Sequence, residues 1–224
     1  MRLIHPYRDY IISQNFGQNL NSWYKDHGLL GHNGIDFVSK KAVNERKGEY
    51  INCPCDGVVS QVINKGNPDL MQYRGVCILA DDENGYTWEV QIGHFTDIFV
   101  EEGDKVSAGQ IIGREGNTGI TYSGGVSDNL KDKEFGNGIH CHFQTRKCQK
   151  TVNALEAIEY LSADGVKPLQ VDGYFYKVCD FKNGYNGCED PAQFLSYMTK
   201  RDFLNLILNA AIKVIQELLK KLTK

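Results

Sequence analysis

Ile139-His140-Cys141-His142-Phe143 alternates apolar side chains with imidazoles, a pattern that restricts the segment to an extended strand with one buried face. Successive side chains of a strand point to opposite faces. His140 and His142 therefore share the polar face, with Cα atoms about 7 Å apart at a rise of about 3.3 Å per residue. Ile139, Cys141 and Phe143 take the buried face. A fold that uses this segment holds two imidazoles side by side on a rigid support. One is suited to bind a metal and the other to move a proton.

His32-Asn33-Gly34-Ile35-Asp36 supplies further donors, a nitrogen and an oxygen. A catalytic zinc takes three protein ligands from His, Asp and Glu and keeps a fourth position for water. On a straight strand the Cα atoms of His32 and Asp36 would stand about 13 Å apart, too far for one ion. Gly34 between them, and Gly31 before them, give the backbone the freedom to bend. The third donor then comes from the His140/His142 pair, and the other member stands beside the open position as a proton carrier, as a side chain titrating near neutrality can. His94 follows the strand-like run Thr87–Ile92. Strict alternation puts it on the side of Trp88, Val90 and Ile92, so it reaches a cleft only where the strand ends or twists at Gly93. His5 and His27 read as ordinary surface or core histidines.

Elsewhere, short strands and turns dominate. Asp56-Gly57, Lys65-Gly66-Asn67-Pro68, Asn84-Gly85 and Glu102-Gly103-Asp104 are turn signals. Between them Val58–Ile63, Gly75–Ala80 and Thr87–Ile92 are β-branched and apolar, as half-buried strands are. Shorter strands are expected near Tyr10–Ser13 and at Tyr174–Val178. The 23 glycines against 5 prolines suit such a β-rich chain. Residues 152–163 read as a short helix closing the domain. Residues 202–222 read as an amphipathic helix. Phe203, Ile207, Ala211, Val214, Ile215, Leu218 and Leu222 form its stripe, and Lys213, Glu217, Lys220 and Lys221 stay off it. Such a face packs on the core, docks a partner or a second copy, or meets a membrane surface through its flanking lysines.

The net charge of -3 gives no sign of a nucleic-acid surface. The first ten residues lack the apolar core of a secretory signal, and no run reaches the roughly 18 apolar residues of a spanning helix. The seven cysteines are an odd number and read mainly as buried thiols. Cys53-Pro54-Cys55 lacks the two-residue gap of a zinc knuckle. Cys179 and Cys188 flank a Gly/Asn-rich loop and are the best-placed pair for a disulfide.

Taken in order, several segments resemble the M23 (lysostaphin/LytM-like) zinc metallopeptidases. They are His32-Asn33-Gly34-Ile35-Asp36, Cys55-Asp56-Gly57-Val58-Val59, Gly93-His94-Phe95, Val100 to Val106, Gly109-Gln110-Ile111-Ile112-Gly113, Gly116-Asn117-Thr118-Gly119 and His140-Cys141-His142-Phe143. The resemblance covers residues 10–155. It implies a mainly β fold, an antiparallel β-sheet groove of the LytM (duplicated-hybrid-motif) type over residues 1–163, followed by a C-terminal extension, 164–224, of β/loop character ending in the α-helix 202–222. It implies one Zn2+ per chain held by His32, Asp36 and His142, with His94 and His140 as catalytic histidines. The implied activity is hydrolysis of peptidoglycan peptides by water activated at zinc, one histidine taking the proton and the pair serving the oxyanion or the leaving amine. The site of action would be the bacterial cell wall, and the lack of a signal suits a phage lysin or a trimmed bacterial domain.

Three departures stand out. Gln144 occupies the place where the family usually has Glu, and can hydrogen-bond behind a ligand without adding charge. The segment from Ile120 to Gly138 is long and is expected to form a loop over the groove. The family's tyrosine before the first histidine has only Tyr24 to match it. Asn117 is a further candidate for supporting the ligands or touching substrate. The rival reading is a LytM-like wall-binding or activator module without catalysis, which should lack one of the five site residues; all five are present. A biotinyl-type carrier, suggested by Val100 to Gln110, lacks the lysine context and leaves the histidines unexplained.

Overall fold

The structure, a computed structural model, describes residues 1–19, 23–67, 69–119, 121–123, 126–127, 138–157, 159–162 and 165–196, with positions 204, 207, 208, 211 and 215. Its strands are β1 (Leu3–Ile4), β2 (Tyr10–Gln14), β3 (Ile35–Ser39), β4 (Tyr50–Asn52), β5 (Gly57–Ile63), β6 (Gly75–Asp81), β7 (Thr87–Gly93), β8 (Asp97–Ile98), β9 (Lys105–Val106), β10 (Ile111–Arg114), β11 (Tyr122–Ser123), β12 (Val126–Ser127), β13 (Cys141–Thr151), β14 (Glu159–Ser162), β15 (Gly165–Pro168), β16 (Gln170–Val171), β17 (Tyr174–Val178), β18 (Cys188–Glu189) and β19 (Leu195–Ser196). Helices α1 (Trp23–Asp26) and α2 (Lys40–Glu45) are short. The runs Val58–Ile63, Gly75–Ala80, Thr87–Ile92 and Tyr174–Val178 are thus strands, as their composition requires.

The main sheet runs β16-β17-β13-β7-β6-β5-β9, with β3 and β18 also pairing with β13 and β2 pairing with β3. Its long β13 is shared along one side by β3, then β18, then β17, all antiparallel. Along its other side β13 pairs with β7 over Gly93↔His142 to Thr87↔Cys148. A second sheet, β4-β10-β8, lies across the apolar face. The core fills the space between them: Val76, Ile78, Val90, Ile92, Cys141 and Phe143 from the main sheet meet Ile51, Ile98 and Ile112 from the smaller one. Phe37, Phe95 and Phe143 are fully buried, and each contributes about 1.5–3 kcal/mol relative to exposure. Ile139, Cys141 and Phe143 all lie on this buried side, so the alternation in β13 leaves the imidazoles on the opposite face.

Two expectations are corrected. No helix spans 152–163: a three-residue 3-10 turn, Ala154–Glu156, is followed by the antiparallel pair β14 and β15. Val152 and Leu155 are 86% and 93% exposed, so the apolar stripe a helix would need has nothing to pack against. The seven cysteines are free thiols. Cys188 does not pair with Cys179; its sulfur accepts from Asn33 Nδ2 at 3.8 Å, while the Cys179 amide is held by Lys147 O at 2.8 Å.

The C-terminal helix expected over 202–222 falls almost wholly outside the described residues. Among those described, the longest continuous helix has six residues, and the separate described positions 204, 207, 208, 211 and 215 are each helical. Leu204, Ile207, Leu208 and Ile215 are exposed. The expected loop over the groove, Ile120 to Gly138, also lies largely outside them. No helix among the described residues is long and apolar enough to cross a membrane.

Candidate metal centre

Strand pairing places Asp36 of β3 directly opposite His142 of β13. His32 lies before β3, where the chain turns, and that turn brings its ring back over Asp36. His32 Nε2 stands 3.0 Å from His142 Nδ1 and 3.2 Å from Asp36 Oδ1, and His142 Nδ1 stands 3.0 Å from Asp36 Oδ1. Zinc with bonds of about 2.0 Å in a tetrahedron separates its donor atoms by about 3.3 Å. The triangle nearly has those edges, and two imidazole nitrogens with one carboxylate oxygen are suitable donors. Among the described residues this is a group that can hold a metal ion.

Gly34 lies in the bend that leads into β3 and serves the site by space as well. A Cβ there would stand 2.5 Å from Phe143 O and 2.7 Å from His142 Cε1. Gly34→Ala is therefore expected to displace the His142 ring and to cost about 1–3 kcal/mol. Calorimetry of the metal-free protein, together with the zinc content after gel filtration, checks both parts.

His94 reaches the groove by the break in alternation that the sequence required. β7 ends at Gly93, and His94 takes φ +66°, an uncommon left-handed backbone for a residue other than glycine. Its ring lies 4.4 Å from that of His140 and 6.0 Å from that of His142, centroid to centroid. His140 itself bridges to Gly116, its amide donating to Gly116 O at 3.0 Å. Both rings rest on main-chain carbonyls: His94 Nδ1 on Thr118 O at 2.6 Å, His140 Nδ1 on Gly138 O at 2.8 Å. A carbonyl only accepts, so each Nδ1 carries a proton, and Nε2 is the nitrogen that holds the lone pair whenever the ring is neutral. His140 Nε2 lies 3.8 Å from Asp36 Oδ1. The Gly116-Asn117-Thr118-Gly119 turn thus supports both histidines. Glu115 fixes its start, accepting from the Ser39 amide and hydroxyl and from the Glu49 amide.

Charge follows the geometry. Burial opposes ionisation of Asp36, but the charge of His140 and the hydrogen bonds from His142 and His32 outweigh it and hold the carboxyl well below the usual range. Burial depresses His142, yet the Asp36 hydrogen bond and charge raise it overall. Burial, then the neighbouring His140 and His142, push His94 well below an ordinary histidine, which keeps its ring neutral. The side chains of Asp36, His140 and His142 retain 11–12% exposure, so the cluster opens to solvent on one side.

The supporting candidates fall close by. Tyr24 is buried with its ring 5.8 Å from that of His32. Asn117 is fully buried in the turn. Gln144 Oε1 accepts from His142 Nε2 at 3.1 Å and from Asn33 Nδ2 at 2.9 Å. Sequence reasoning missed Tyr73, whose ring meets His94 edge-on at 5.2 Å, and the polar row Glu89, Gln91 and Arg146. The polar alternation Glu89-x-Gln91-x-Gly93 was a signal for that row, but only the register with β13 reveals its partners.

An antiparallel β fold that gathers two histidines and an aspartate around one metal-sized gap, with two more histidines beside it, has the form of a metallopeptidase centre. Residues 30–154 match the family described as Peptidase family M23, more than half of the chain, and the protein belongs to that family. Solved structures similar to it include LytU, 25% identical, covering 84% of this chain and 86% of that one at a TM-score of 0.46. The catalytic domain of lysostaphin from Staphylococcus simulans is 18% identical, covering 83% and 91% at 0.44. The catalytic domain of the prophage-encoded M23 protein EnpA from Enterococcus faecalis, solved as a point mutant, is 25% identical, covering 64% and 85% at 0.40. No curated protein matches the chain.

Proposed function

We propose that this chain is a zinc-dependent endopeptidase that hydrolyses peptide bonds of bacterial peptidoglycan, in a cross-bridge or a stem peptide. The observation that carries it is the triangle of His32 Nε2, Asp36 Oδ1 and His142 Nδ1 with the lone pairs of His94 and His140 beside it. Those three atoms would hold one zinc ion, which when bound supplies Lewis acidity toward a peptide carbonyl and lowers the pKa of water. His94 and His140, anchored through Nδ1, take the proton of the attacking water and return one to the leaving amine. The roles are shared by the pair. Asp36, negative among imidazoles, keeps the donor set suited to a divalent cation.

In this reading residues 1–163 carry the chemistry. Residues 164–224 hold the enzyme on the wall or on a larger assembly, with the stripe of 202–222 as the docking face. The partner is the wall peptide, and the place of action is the bacterial cell wall.

The test is mass spectrometry of fragments released from purified walls of differing cross-link chemistry. New amine and carboxyl ends at one type of bond are expected. Chelation should lower the release at least about 100-fold, and added zinc should restore it. A protein that binds zinc and adheres to walls yet releases no fragments from any of them is instead a wall-binding module.

A further inference from the structure

Asp36 and His142 are fixed by strand pairing, but His32 lies ahead of β3, which begins at Ile35. Its main chain is held by the turn 15–18 instead. The His32 amide donates to Gln18 O at 3.0 Å, and its carbonyl accepts from the Gly17 amide at 2.8 Å. The two segments touch, since a Cβ on Gly31 would stand 2.4 Å from Gly17 O. The turn closes on itself through the Gln18 amide on Asn15 O at 3.2 Å and the Asn15 amide on Gln18 Oε1 at 2.9 Å.

Both segments are gripped from the C-terminal extension, by the loop 179–187 between β17 and β18. The Tyr185 ring packs on that of Phe16 at 4.6 Å between centroids, so the loop reaches the turn. The Leu30 amide donates to Gly184 O at 2.9 Å. Gly184 takes φ +86°, and a Cβ there would stand 2.5 Å from Leu30 Cδ1, so the approach requires glycine. Asn33 Nδ2 reaches Cys188 Sγ at 3.8 Å. The contacts therefore fall on either side of His32 and on the turn that holds it. Asn183 stiffens the loop from within. Its Oδ1 accepts from the amides of Tyr185 at 2.8 Å and Gly187 at 3.0 Å, and its Nδ2 donates to Cys188 O at 2.9 Å. Both ends of the loop are fixed to β13: the Cys179 amide donates to Lys147 O at 2.8 Å, and Cys188 pairs with Arg146. The strand that carries His142 thus also anchors the loop that reaches His32.

We infer that the loop 179–187 sets His32 against His142 and Asp36, with Tyr185 and Asn183 as positioning residues that act through Phe16 and Leu30. This rests on the reading of His32 as a metal ligand. A metal site needs its donors held within about 0.5 Å, and a donor outside the sheet gets that precision only from what packs around it. The family match ends at residue 154, so a part of the chain beyond it completes the centre. The extension then has a second task besides docking.

The test is a double-mutant cycle on the full chain with Tyr185→Ala, Phe16→Ala and both together. Asn183→Ala loosens the loop from inside and serves as a further variant. Zinc affinity is measured against a chromophoric chelator on variants whose metal-free circular dichroism shows them folded at the assay temperature. Tyr185→Ala and Phe16→Ala should each lower affinity about 10-fold or more. The double variant should lose no more than either alone, because the two rings act as one contact. Tyr185→Phe keeps the ring and should restore the affinity. Cobalt(II) in place of zinc should show altered visible absorption in the alanine variants, a sign of changed coordination that a loss of stability alone does not give. Tyr174→Ala, at a residue of the same extension that is 48% exposed, is the control. Unchanged zinc affinity in a folded Tyr185→Ala, Phe16→Ala or Asn183→Ala, or an equal loss in Tyr174→Ala, would overturn the positioning role and leave the peptidase reading standing. An unaltered chain that binds no zinc would overturn the ligand reading and this inference with it. An unaltered chain that binds zinc but cuts no wall would overturn the peptidase reading and leave this result untouched.

Discussion

His142→Ala is expected to abolish zinc retention and wall hydrolysis together. The substitution removes Nδ1, the corner of the donor triangle that stands 3.0 Å from both other atoms. His32 and Asp36 remain, but two donors hold zinc far less well than three. Loss of an outer partner alone weakens metal sites about 10–100-fold, so loss of a ligand should exceed about 100-fold. The measurement is zinc per chain after gel filtration, paired with thermal unfolding. An ion present at about 1,000 times its dissociation constant stabilises the folded state by about 4 kcal/mol through binding alone. That zinc-dependent rise in Tm should be present in the unaltered chain and absent from the variant. His5→Ala provides the control, because His5 stacks on Tyr10 at 5.0 Å and takes no part in the cluster. Full zinc occupancy in the His142 variant would defeat the ligand assignment.

The parts of this site that sequence could show are those governed by short-range periodicity. Alternation alone placed His140, just before β13, and His142, within it, on one face, because Ile139, Cys141 and Phe143 needed burial. His94 was legible only as a condition. Its position depends on the strand ending at Gly93, where a Cβ would stand 2.3 Å from the Tyr73 hydroxyl, and on Thr118 O waiting for Nδ1. Both are contacts between distant segments. Gly34 was noticed for the bend in which it lies, but the close approach of His142 to its missing Cβ was not visible. The Glu89–Arg146 pair escaped because a register between two strands 57 residues apart has no local signature. The helix expected at 152–163 failed through a pattern read without its packing partner: Val152 and Leu155 found no apolar surface, and Asn153 capped a single 3-10 turn by accepting from the Leu155 amide.

His140→Ala and His94→Asn should leave zinc bound and remove turnover. The distinction turns on which nitrogen each ring has free and how far it lies from the triangle. His140 Nε2 is 3.8 Å from Asp36 Oδ1, against 3.0 Å for His142 Nδ1. The greater distance sets His140 beside the donor triangle, where it can reach a water molecule, and the Gly138 carbonyl holds it there through Nδ1. His94 is held likewise by Thr118, and asparagine is chosen for it because that residue tolerates the left-handed backbone better than alanine. Losing a positioned acid or base costs about 10²–10⁴-fold in rate. The loss should fall on kcat with KM little changed, the mark of a group acting in the transition state. Stopped assays on a soluble wall peptide, with zinc content measured on the same samples, separate the cases. If His140→Ala releases the metal while His142→Ala retains it, the two imidazoles have exchanged roles, and the third donor is the ring that stands further from Asp36.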